Sequence, residues 1–133
     1  MAHENTVKPT DAELDILKIL WKHGPATVRQ VHEAFRPKRR TGYTTTLKQL
    51  QIMTEKGLVK RDEKERSHVY AARSDEGRTL RRVTEDLLDR VFDGSAQKLV
   101  MHALSAKHAS REELAQIRSL LDKCEGDKNH ERD

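Results

Sequence analysis

The chain has 133 residues, of which 35% are hydrophobic and 4% aromatic, and its 26 Lys and Arg against 22 Asp and Glu give a formal net charge of +4; the mean hydropathy is −0.89 and the pI near 9.3. No stretch approaches the roughly 20 consecutive apolar residues of a spanning helix, and residues 1–10 lack the apolar centre of a signal peptide, so a cytoplasmic protein with no direct membrane binding is expected. The one cysteine, Cys124, excludes an internal disulfide framework and a multi-cysteine metal cage.

The spacing predicts a mostly α chain. Thr10 with Glu13 fits a capping box, and Leu14, Ile16, Leu17, Leu20 and Trp21 recur at helical spacing until Gly24-Pro25, giving a first helix over Asp11–His23. Thr27 is placed to cap a second helix whose Val28, Val31 and Phe35 share a face and which ends before Pro37. The stretch Arg36-Pro37-Lys38-Arg39-Arg40-Thr41-Gly42 is too basic and too rich in breakers for an element interior and reads as a loop. A third helix runs from Tyr43 to Lys56 and is closed by Gly57. At about 100° per residue, Tyr43, Leu47, Met53 and Thr54 fall on the side of Leu50 and should pack, whereas Thr44, Thr45, Lys48, Ile52 and Glu55 fall opposite and should be free. Residues 58–62 and 67–72 are short β-type runs around the charged Glu63-Lys64-Glu65-Arg66, the pattern of a hairpin. Three helices and a hairpin make a winged helix-turn-helix, whose third helix suits the major groove and whose hairpin suits the backbone.

Beyond Ala72 the pattern is purely helical. Ser74 is the expected cap of a fourth helix in which Leu80, Val83, Leu87 and Val91 form a stripe widened by Leu88 and Phe92, ending at Asp93-Gly94. Ala96, Leu99, Val100, Ala103 and Leu104 mark a fifth helix, and Ser110 with Glu113 caps a sixth carrying Leu114, Ile117, Leu120 and Leu121. Residues 125–133 read as a disordered tail. The expected organisation is a winged-helix DNA-binding domain over 1–73 and a three-helix dimerisation domain over 74–124. With so few large side chains, these helices close a core most economically by sharing it with a second copy. Leu80, Val83, Leu87, Val91, Leu99, Leu114, Ile117 and Leu121 are the residues expected to build that homodimer.

Charge divides the chain in the same way. Residues 1–74 hold 15 Lys and Arg against 9 Asp and Glu, a net of +6, and residues 75–133 hold 11 against 13, a net of −2. Such an asymmetry suits a polyanion-binding part joined to a part that does something else. Arg39 and Arg40 before the third helix, and Lys64 and Arg66 at the wing tip, bracket its free face as phosphate contacts, joined by Thr41 and Tyr43. Backbone amides at the start of that helix favour a further phosphate. Thr44, Thr45 and Lys48, flanked by Gln49 and Gln51, are placed to reach base edges and thymine methyls. Capping of the helix by Thr41 or Thr44 is the competing structural role.

Four segments in order, Pro9-Thr10-Asp11-Ala12-Glu13-Leu14-Asp15-Ile16-Leu17-Lys18-Ile19-Leu20-Trp21, Thr27-Val28-Arg29-Gln30-Val31-His32-Glu33, Gly42-Tyr43-Thr44-Thr45 and Glu55-Lys56-Gly57-Leu58-Val59, resemble the penicillinase-repressor (BlaI/MecI) family of bacterial transcriptional regulators. The resemblance runs from about Pro9 to Lys123. It implies a dimeric winged-helix repressor covering a palindromic operator, with the last three helices forming the dimer. In the best-known members a membrane-bound zinc metalloprotease sensor responds to β-lactams and cleavage in the dimerisation part releases the DNA, so such a sensor is an implied partner and β-lactam-resistance or related genes are implied targets. Where the family often has an aliphatic residue, a threonine and an arginine, this chain has Thr46, Lys48 and Ile52, a change that bears on operator sequence. Where cleaved members carry Asn-Phe, this chain carries His102-Ala103. Copper-responsive relatives carry paired C-terminal cysteines, against Cys124 alone here.

Other chemistries find little support. None of the seven histidines forms an H-E-x-x-H, and His102 and His108 near Glu112 and Glu113 read as exposed helix-end residues rather than metal ligands. No glycine-rich phosphate loop occurs and no catalytic triad can be read from residues this scattered. No enzyme activity, metal or cofactor is expected. The reading is a homodimeric repressor; the alternatives are a winged-helix regulator relieved by a small-molecule or metal effector, and a winged-helix protein-interaction module.

Overall fold

A computed structural model describes residues 8–35, 42–64 and 66–132, with side chains as far as residue 127. The first helix, α1 (Asp11–His23), begins with the expected box: Glu13 N donates to Thr10 Oγ1 at 3.2 Å and Thr10 N donates to Glu13 Oε1 at 2.9 Å. Gly24, at φ 85°, turns the chain out and donates to Leu20 O. Next come a two-residue strand, β1 (Ala26–Thr27), and α2 (Val28–Phe35). Thr27 caps α2 reciprocally with Gln30, each backbone N–H donating to the other's side-chain oxygen. The third helix, α3 (Tyr43–Lys56), ends at Gly57 in the left-handed region, φ 83°, where Leu58 N donates to Met53 O at 2.9 Å.

The wing consists of β2 (Val59–Asp62) and β3 (Val69–Ala72), antiparallel from Val59↔Ala72 to Asp62↔Val69. The expected hairpin is thus part of a three-stranded sheet, ordered β1-β3-β2. Two residues are too few for β1 to show a period, so only its pairing of Ala26 with Tyr70 reveals it.

The core lies where α1, α2 and α3 meet this sheet. Ile16, Leu17 and Leu20 of α1, Val28, Val31 and Phe35 of α2, Leu50 and Met53 of α3 and Tyr70 of β3 are all buried. A buried carboxylate ties two helix ends together: Glu13 accepts from Lys56 Nζ at 2.7 Å, joining the start of α1 to the last turn of α3. Trp21 Nε1 donates to Ser74 O at 2.9 Å, fixing α1 to the chain leaving the sheet.

The fourth helix, α4 (Glu76–Val91), is capped one residue later than expected. Asp75 Oδ2, not the Ser74 hydroxyl, accepts from Arg78 N at 3.1 Å. Asp93 and Gly94, at φ 52° and 78°, end it, and Gly94 N donates to Leu88 O. The fifth helix, α5 (Ala96–Ala106), is capped by Ser95, and the sixth, α6 (Arg111–Arg132), by Ser110, whose Oγ accepts from Glu113 N at 3.0 Å. The tail expected from Glu125 continues α6 to Arg132 instead. Opposite charges four apart, Arg118 with Asp122 and Lys123 with Asp127, favour helix by a few tenths of a kcal/mol each. Extending an existing helix is also far easier than nucleating one.

The contacts divide the chain into Met1–Asp86 and Leu87–Asp133. Among the described residues, every buried one belongs to the first unit. From 87 to 127 not one described residue is buried, and Val91, Val100, Met101, Leu104, Leu120 and Leu121 are each more than 40% exposed. No helix among the described residues is long and apolar enough to cross a membrane.

Candidate nucleic-acid interface

The N-terminal half of α3 presents the surface on which base readout is expected. Its N-cap is Gly42, in extended backbone with no side-chain cap hydrogen bond, so Thr44 does not serve as its cap, and Thr41 lies outside the described residues. Among the described residues no side chain caps the first-turn amides of α3, the arrangement that suits a phosphate oxygen. Thr44, Thr45 and Lys48 are exposed; Gln49 is half-buried, and Gln51 is the more accessible of the two glutamines. Three threonines in succession divide by helical phase. Thr46 is buried, its Oγ1 donating to Gly42 O at 3.4 Å, at a position where an aliphatic side chain would also fit. Leu50 and Met53 are fully buried and Leu47 packs against the core.

Tyr43 departs from the helical wheel, which places it on the packing side. It is 43% exposed and meets side chains of α2 instead of entering the core. The His32 ring stands edge-on at 6.0 Å and the Arg29 guanidinium lies 5.9 Å from the ring centroid. This cation–π contact holds Arg29 beside the start of α3. Arg29 is a cation that sequence reasoning missed; the Thr27 cap, which sets the phase of α2, was the available signal.

A cleft of about 340 Å³ joins this corner to the wing, lined among others by Thr27, Arg29, Tyr43, Arg66, Ser67 and His68. The structure thus brings Tyr43 and Arg66, 23 residues apart, onto one surface. Lys64 N donates to Asp62 Oδ1 at 2.9 Å, which tightens the wing turn, and both Lys64 and Arg66 are exposed. Glu63 is engaged by Arg61 at 2.7 Å, and neither Lys64 nor Arg66 forms an ion pair with a described residue. Arg39, Arg40 and Thr41, the remaining expected phosphate contacts, lie outside the described residues.

The expected dimerisation residues are all incompletely covered in one chain. Leu80, Leu87, Val91 and Leu121 are exposed, while Val83, Leu99, Leu114 and Ile117 are half-buried. His102 and Ala103 lie in the middle of α5, both exposed, with the His102 ring 5.8 Å from that of Phe92. Among the described residues no three His, Cys, Asp or Glu side chains are grouped to hold a metal ion.

Comparison with known proteins bears on family and fold. A family model described as "Penicillinase repressor" matches residues 9–123. The chain is 35% identical over 94 residues to the transcriptional regulator BlaI of Mycobacterium tuberculosis, covering 69% of this chain and 68% of that one. It is 24% identical over 113 residues to the penicillinase repressor of Bacillus licheniformis, covering 85% and 88%. In fold it is similar to a MarR mutant from E. coli solved with operator DNA, at a TM-score of 0.50 and 15% identity over 92% of this chain and 79% of that one.

Proposed function

The chain belongs to the penicillinase repressor family, a family of DNA-binding regulators and not of enzymes, and on that premise we propose that it is a homodimeric transcriptional repressor that closes over a palindromic operator. The observation that carries this reading is the first half of α3: a helix start with no side-chain cap from its N-cap residue, followed by exposed Thr44, Thr45 and Lys48, with Arg29 and the wing's Arg66 lining the cleft beside Tyr43. Thr44, Thr45, Lys48 and the neighbouring glutamines read base edges. Arg66, Lys64, Tyr43, the helix amides and the basic segment with Arg39, Arg40 and Thr41 hold phosphates. The uncovered apolar surface of the second unit supports the dimer, whose two-fold axis matches that of a palindrome.

Two substitutions separate reading from gripping. Lys48→Ala weakens operator binding by about 1–3 kcal/mol and changes base preference at one position per half-site, because it removes a contact to a base edge. Arg66→Ala weakens binding to all duplexes alike and reduces the slope of log affinity against log salt by about one, because it removes a phosphate contact. Gel-shift titrations on operator and scrambled duplexes at several salt concentrations measure both; two variants that bind like the parent would remove α3 and the wing from the interface. Salt-independent binding would favour the protein-interaction module.

Relief by a membrane-bound metalloprotease draws its support from the family, and the matching site is His102-Ala103. Both residues are exposed but helical, so cleavage there requires α5 to open first. Regulation of β-lactam-resistance genes is likewise a family expectation, and genome-wide mapping of bound sites names the targets.

A further inference from the structure

We propose that the pocket between the end of β3 and the first turns of α4 is a binding site for a small multivalent oxyanion, a phosphate- or polycarboxylate-bearing metabolite. The pocket has a volume of about 250 Å³ and is lined by Arg73, Arg78 and Arg82 together with Ser74, Asp75 and Thr79. Arg78 and Arg82 are four apart on α4 and so lie on one face, an arrangement that disfavours a helix unless an anion sits between them. Arg73, the residue after β3, adds a third guanidinium. None of the three forms an ion pair with a described residue, and the one carboxylate in the lining, Asp75, already accepts from the Arg78 amide at 3.1 Å. Hydroxyls of Ser74 and Thr79 complete a polar wall. Guanidinium groups match oxyanions by paired N–H donors, and a concavity of this size admits one small anion but no duplex. Gly57, which closes α3, also lines the pocket. The site therefore lies at the C-terminal end of α3, about 20 Å along a 14-residue helix from the end that meets DNA. It is separate from the proposed phosphate contacts at Lys64 and Arg66.

Calorimetric titration of the full chain with pyrophosphate and, separately, citrate, at constant ionic strength in sodium chloride and without DNA, tests this independently of the operator reading. One anion per chain binds saturably. Arg66→Ala leaves that binding unchanged, and Arg78→Ala with Arg82→Ala weakens it at least tenfold. Binding of pyrophosphate alone assigns the site to phosphate compounds, binding of citrate alone to polycarboxylates, and binding of both to the shared chemistry. Should the double variant lose its helical circular dichroism, Arg73→Ala, at an exposed position after β3, weakens binding several-fold in its place. The proposal is overturned if neither anion gives more heat than dilution, or if binding survives in the folded arginine variants. It also falls if those variants flatten the salt dependence of duplex binding while neither anion binds, which would make the arginines DNA backbone contacts.

Discussion

Replacing Val91 and Leu121 together by glutamate converts the proposed homodimer to a monomer, with a mass by sedimentation equilibrium near the 15.4 kDa of one chain rather than about twice that. Both side chains are more than half exposed in the single chain, at 58% and 57%, and substitutions at such positions change the stability of an isolated chain by about 0.5 kcal/mol or less. In a two-fold interface each substitution occurs twice, so four carboxylates enter an apolar contact without partners. A buried unpaired charge costs several kcal/mol. Operator affinity falls with the dimer, because the second half-site is no longer presented at a high effective concentration; a loss on the order of a hundredfold is expected. A double variant that keeps the dimeric mass would place the interface elsewhere on the helices.

The reason to expect such an interface was legible in the sequence, and what could not be read there is equally physical. The capping box at Thr10–Glu13, the caps at Thr27 and Ser110 and the left-handed Gly57 are local devices, complete within a few residues, and each helix start or stop they mark agrees with the structure. Where two capping residues stand side by side, as at Ser74 and Asp75, composition does not say which one reaches the third amide. β1 is a matter of pairing across more than 40 residues and has no local signal. Tyr43 falls on the packing side of an ideal wheel, yet a wheel does not show how much of each position other elements cover. Arg29 beside Tyr43, and Arg73 beside Arg78 and Arg82, acquire meaning only when separate segments meet. Thr46 is the intermediate case. Its phase marks it as interior, but its chemistry resembles that of the exposed threonines before it.

Glu13→Ala lowers the unfolding free energy of the winged-helix part by about 2–3 kcal/mol, a fall in Tm on the order of 10 °C. The carboxylate is 2% exposed and serves two partners, the Thr10 amide at 2.9 Å and Lys56 at 2.7 Å, so its removal uncaps α1 and leaves the end of α3 untied. Lys56 retains contact with water, at 36% exposure, which keeps the loss below that of a fully buried pair. Burial alone would push the Glu13 carboxyl up, but the hydrogen bond and charge of Lys56 and the Thr10 donors outweigh it and hold the group below its usual value. With the folded value below the unfolded one, the stabilisation is fully present above the unfolded carboxylate range and is lost as pH falls through the folded value. Glu13→Gln keeps an oxygen for the Thr10 amide but no charge for Lys56, so it isolates the ionic part. The stability difference between Glu13→Gln and the parent is therefore widest near neutral pH and narrows below about pH 4. Thermal and urea unfolding across that range measure it, and a difference that stays constant down to pH 2 would mean that packing, rather than the charge on Glu13, joins the two helix ends.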